Sequence, residues 1–127
     1  MEILTFKTRK EFGAWLKKNH TKSPGVWVRF LKKAHKESSG EKSVTYAEAL
    51  DVALSWGWID SLVNKHDEGS YKQKFTPRGQ RSVWSKRNRE HVARLIKEKR
   101  MTPAGLAVVD AAKHDGRWDG AYDSPAN

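Results

Sequence analysis

The chain has 127 residues, a net charge of +10 and a hydrophobic fraction of 37%, which suits one folded domain whose core leans on six Trp, four Phe and three Tyr. It contains no cysteine, which excludes disulfides, thiolate nucleophiles and cysteine-ligated zinc or iron–sulfur centres. The N-terminus lacks the apolar stretch of a secretory signal, and no apolar run approaches the roughly 20 residues of a membrane span, so no membrane insertion is expected and a cytoplasmic location is.

Residues 2–6, EILTF, read as a short strand. Thr8 and Glu11 then stand at capping-box spacing before a helix near 9–19, where Phe12, Trp15 and Leu16 share one face. Ser23-Pro24-Gly25 breaks the chain, and the segment over about 25–32 has the β-branched and aromatic content of a strand. The lysine-rich run 31–36 reads as a solvated strand exit, and 35–43, HKESSGEKS, as a polar loop. Thr45 and Glu48 repeat the capping pattern ahead of a helix apolar on most sides, which predicts a central, buried element closed by Gly57. Residues 58–66 and 70–76 read as strands joined through Gly69 into a hairpin, stopped by Pro77 and Gly79. Ser85 is placed to cap a helix over about 86–99 with Val92, Leu95 and Ile96 inward, and Thr102-Pro103 starts a last helix ending at Gly116. The predicted fold is α+β: a small, mainly antiparallel sheet (the hairpin about 58–76 plus the strand about 25–32) covered by four helices. Residues 1–120 form the single domain, and 121–127 are expected to be a flexible tail.

The charge is uneven. Residues 61–102 hold 12 Lys and Arg against 4 Asp and Glu, whereas 103–127 hold 2 against 4. The peak falls on FTPRGQRSVWSKRNREHV, residues 75–92. A helix start with free N–H groups attracts anions, and here Ser85 marks that start, with Arg78, Arg81, Ser82, Lys86 and Arg87 around it. Arginine forks suit phosphate or carboxylate. Trp84 is placed to stack on a base or a guanidinium, and Asn88 to bond back to the cap. Asp60 and Ser61, just after the central helix, complete the candidate ligand-binding set, with Asp60 as an orienter of Arg78. No metal or cofactor motif is present: the five histidines have no ligand spacing, and Gly-rich phosphate loops and nucleophile elbows are missing.

Four segments taken in order, WLKKNHTKSPGVWV (15–28), TYAEALDVALSWGWIDS (45–61), FTPRGQRSVWSKRN (75–88) and MTPAGLAVVDAAKHDGRW (101–118), resemble the N-terminal part of the YdeI/OmpD-associated, OmdA-like bacteriocin-protection proteins. That resemblance implies a bacterial stress or bacteriocin-tolerance role and association with an outer-membrane porin, and brings no reaction or cofactor. Members of that family continue past the GRW…AY region into a C-terminal helical segment, which this sequence lacks. The expected function is a non-enzymatic module with a basic site for an anionic ligand or an acidic protein partner. Two alternatives stand beside it: a nucleic-acid-binding domain, suggested by charge and interleaved aromatics, and a small enzyme in which Asp60, Ser61, Arg78 and Ser82 converge.

Overall fold

In the computed structural model, which describes residues 1–123, the elements run β1 (Ile3–Leu4), α1 (Arg9–Asn19), β2 (Val26–Leu31), α2 (Lys33–Ser39), α3 (Tyr46–Ser55), β3 (Trp58–Asp67), β4 (Ser70–Pro77), α4 (Lys86–Lys97) and α5 (Pro103–His114). The strands form one sheet in the order β1-β2-β4-β3. β1 lies parallel to β2, while β2 with β4 and β4 with β3 are antiparallel. The fold is therefore α+β with a mainly antiparallel sheet, as the sequence predicts.

Period-two alternation in β2 turns Val26, Val28 and Phe30 inward, beside Phe75 of β4. Against them pack Phe12 and Leu16 of α1 and Ala49, Val52 and Ala53 of α3. The other side of α3, through Leu50 and Leu54, faces a second core built from Trp84, Val92 and Leu95, with Val109 and Ala112 of α5. α3 is thus the shared wall of two cores, which is why its sequence is apolar on most sides. Both faces must be filled for α4 and α5 to dock.

The caps follow the sequence. Thr8 and Thr45 accept the N–H groups of Glu11 and Glu48, and Glu48 returns a bond to the Thr45 N–H at 3.0 Å. That backbone bond, with lesser help from the Thr45 hydroxyl and nearby cations, holds the Glu48 carboxyl below its ordinary value of 4.5. Replacing Thr45 by Ala is expected to cost about 1 kcal/mol, read as a lower urea midpoint with an unchanged slope. Alanine keeps the backbone N–H, so only the smaller share from the Thr45 hydroxyl separates the two proteins. That share is present above the unfolded Glu48 pKa and lost as pH falls through the lower folded one, so the wild-type advantage over Thr45→Ala should shrink slightly in acid.

Three local expectations are corrected. The predicted polar loop 35–43 and the strand exit before it contain α2, which buries no residue and has no side-chain N-cap; an unpatterned helix of seven residues leaves no trace in hydrophobic spacing. It ends at Gly40 with φ 72°, and its His35 ring lies over Gly69, where a Cβ would come within 2.6 Å of Nδ1. Ile96, expected inward, is 41% exposed. The predicted tail starts too early: Ala121 is buried, and Tyr122 pairs with the segment before α4. Residues 124–127 of that tail lie outside the described residues. Among the described residues no helix is long and apolar enough to cross a membrane.

Candidate anion-binding site

Where β4 ends, the Arg78 N–H donates to the carbonyl of Gly57 at 3.1 Å, tying the basic segment to the turn after α3. A turn closed by Ser82 N–H to Gly79 O follows, and the chain then drops Trp84 into the second core. Trp84 is only 1% exposed. Trp118 packs on it at 5.0 Å between ring centroids, and the Trp84 carbonyl accepts the Tyr122 N–H. The ring is a fixed platform.

Arg78 lies on that platform, its guanidinium carbon 3.6 Å from the ring centroid. Nη1 donates to Ser82 Oγ at 3.0 Å and to the Val83 carbonyl at 3.3 Å. Nε and Nη2 are buried and meet no acceptor. Burial lowers the Arg78 pKa to about 10; the charge of Asp60 opposes this, and Arg117 adds to it. At neutral pH Arg78 is still a cation, and no ion pair joins it to a carboxylate among the described residues. A buried, incompletely bonded charge is costly unless something neutralises it.

Arg117 approaches from beyond α5. Its Nε bonds the Asp115 carboxylate at 2.7 and 2.9 Å, and Nη1 donates to the Ser82 carbonyl at 3.1 Å. Arg78 and Arg117 line one cavity of about 220 Å³, floored by Ala107, Val108 and Ala111 of α5 and rimmed by Gly79 and Gln80. No carboxylate lines it. By contrast, the basic row Arg87, His91 and Arg94 along α4 borders a cavity that includes Asp51, 2.7 Å from Arg94, and so carries its own counter-charge.

The candidate residues from the sequence thus separate. Arg78, Ser82 and Trp84 come together, with Trp84 stacked on a guanidinium and too buried to meet a base. Asp60 belongs to another network: its Oδ2 accepts from Tyr46 Oη at 2.7 Å and from Gln73 Nε2 at 2.9 Å. Ser61 is exposed and donates to the Lys74 carbonyl at 3.4 Å. Neither lines the Arg78 cavity, so the four-residue convergence required for a Ser/Asp/Arg enzyme site does not form. The start of α4 is largely closed. Ser85 Oγ accepts the Asn88 N–H, the Lys86 N–H goes to the Tyr122 carbonyl, and the Lys86 ammonium pairs with Asp123 at 3.1 Å. Asn88 contributes its backbone N–H, and among the described residues its side chain makes no bond back to the cap. Arg81 stands exposed on the turn. Arg117 and the α5 floor are not evident in the sequence reading; an arginine inside the turn-rich DGRWDG stretch has no periodic or capping signature.

Residues 4–108 match the family model described as a domain of unknown function, DUF8412. The match takes in Arg78, Ser82 and Trp84 and stops before Arg117. No curated protein and no solved structure matches the chain.

Proposed function

The chain belongs to the DUF8412 family, and from that premise we propose that it is a non-enzymatic binding module for a small organic monoanion, held at Arg78 and Arg117. The carrying observation is the pair of buried Arg78 donors, Nε and Nη2, with no acceptor. Counting Arg78, Arg117 and the Asp115 bonded to it, the site has a surplus of one positive charge, which suits a carboxylate better than a dianion. The α5 side supplies methyl groups for a short apolar body, and the cavity, about 220 Å³, is below the usual range for drug-sized ligands. Because both donors are enclosed, the head group reaches them as the exposed Gly79–Gln80 turn yields.

The resemblance to OmdA-like proteins supports, as part of this proposal, a cytoplasmic role in bacterial stress or bacteriocin tolerance. A protein of net charge +10 repels cationic peptides, so the role proposed is indirect, through the bound anion or an acidic partner.

The test follows thermal unfolding and Trp fluorescence of the wild type and Arg78→Met with acetate, benzoate and phosphate. Saturable binding of one carboxylate at about 100 times its Kd adds about 2.7 kcal/mol. Arg78→Met should lose that response while keeping a melting temperature close to or above that of the unliganded wild type, since two buried donors without acceptors and a charge with no paired carboxylate are gone. An equal ligand response in both proteins, or none in the wild type, would reject the site.

A further inference from the structure

Helices α1 and α3 pack against the face of the sheet that carries Val26, Val28, Phe30 and Phe75. The opposite face carries a second feature, independent of the Arg78 cavity. Because Val26, Val28 and Phe30 point inward, Trp27 and Arg29 between them point out. The register then sets Trp27 between Ile3 of β1 and Lys74 of β4, and Arg29 beside Lys72, which in turn faces Asn64 of β3. Lys72 Nζ lies 4.9 Å and Lys74 Nζ 5.8 Å from the centroid of the Trp27 ring. The other five tryptophans belong to, or pack against, one of the two cores; Trp27 does neither.

Charge divides this face. At one end Arg29 is neutralised by Glu41 at 2.8 Å and Asp67 at 3.8 Å. At the other, neither Lys72 nor Lys74 forms an ion pair among the described residues. What remains is a half-buried indole with two uncompensated cations lying over its ring and the partly exposed Ile3 beside it. We infer that this open face, centred on Trp27, binds single-stranded nucleic acid, a base stacking on the indole while Lys72 and Lys74 turn to the flanking phosphates. The favoured occupant follows from the pairing of features. Lysines alone suit any polyanion, but a π-plane between them suits a polyanion whose units carry flat rings. A duplex keeps those rings inside its stack. Strands about 4.8 Å apart make a four-stranded face wide enough for two or three nucleotides. The lysine–indole contacts are half-exposed side-chain contacts, so exchanging them for base and phosphate contacts needs the lysine side chains to swing off the ring and no rearrangement of the backbone.

Fluorescence anisotropy of labelled 12-mer DNA and RNA strands tests this at 50 and 200 mM NaCl, with a duplex, poly-glutamate and phosphatidylserine vesicles as competitors. Two phosphate contacts predict that affinity falls about sevenfold between the two salts. Trp27→Ala should weaken binding by about tenfold or more, and Lys72→Glu with Lys74→Glu should flatten the salt dependence. Arg78→Met should bind the strands as the wild type does, which separates this surface from the monoanion site. Trp27 lies outside both cores, so Trp27→Ala should fold; if it does not, the lysine pair decides. No binding at 50 mM, wild-type affinity and salt slope in the lysine variant, or equal preference for duplex, poly-glutamate or vesicles would each overturn the inference.

Discussion

Gly105→Val is expected to leave a chain with too little stability to purify as a folded monomer, and even Gly105→Ala should cost about 3 kcal/mol or more. Gly105 lies in the first turn of α5, where the helix crosses the end of α3. A Cβ there would overlap the Ser55 carbonyl oxygen and come within 2.7 Å of its carbon and 2.9 Å of Met101 Cε. Backbone cannot move aside as a side chain can. The same carbonyl is the anchor of the crossing, accepting both the Thr102 N–H at 3.0 Å and the Thr102 hydroxyl at 2.6 Å. Pushing α5 outward therefore breaks its cap contacts and opens the core under Val109 and Ala112 together. Gly13 is the control. It sits inside α1, and an added Cβ meets only Val52 Cγ1 at 3.9 Å, so Gly13→Ala should stabilise the protein by up to about 1 kcal/mol through helix propensity. Urea unfolding of both alanine variants checks the pair. If Gly105→Ala behaves like Gly13→Ala, the close crossing of α3 and α5 is wrong.

The contrast shows what the sequence can and cannot disclose. Thr8, Thr45, Ser85 and Thr102 each cap the predicted helix, because capping is settled within four residues. The double-sided burial of α3 is legible for a similar reason: an all-round apolar helix has one place to go. The site is less legible. Arg78 and Trp84 stand six apart in a stretch with no regular structure, so their stacking depends on how the 79–83 turn folds back. Arg117 joins them from a distant turn. The charge peak at residues 75–92 falls on the segment that holds Arg78, although the helix start it is read from is not where the open donors lie. The start of α4 is capped and paired with Tyr122, whereas the unsatisfied donors belong to the arginine lying on the core tryptophan. Trp27 reads in sequence only as a strand residue; its distinction appears once the register places Lys72 and Lys74 across from it.

Asp60 separates the two arrangements most sharply. Asp60→Ala is expected to destabilise the fold by about 3 kcal/mol, a fall in melting temperature of about 10 °C, because Tyr46 and Gln73 both lose a charged acceptor in a part-buried setting. Part of that deficit comes from Arg78, whose pKa Asp60 supports. Without Asp60 the Arg78 value drops further below about 10. A base whose folded pKa is depressed costs stability while it is protonated, and the cost is relieved as pH rises through the folded value; the deficit of Asp60→Ala should accordingly narrow between pH 7 and pH 10.5. Binding gives the decisive sign. As an orienter of Arg78, Asp60 would be needed for ligand, and the alanine variant would lose affinity. As a carboxylate engaged elsewhere that only opposes incoming anions through space, its removal should tighten monoanion binding even as the fold weakens. Measured below the melting range, a variant that is less stable yet binds benzoate more tightly than the wild type is the outcome this geometry requires; weaker binding in the folded variant would return Asp60 to the site.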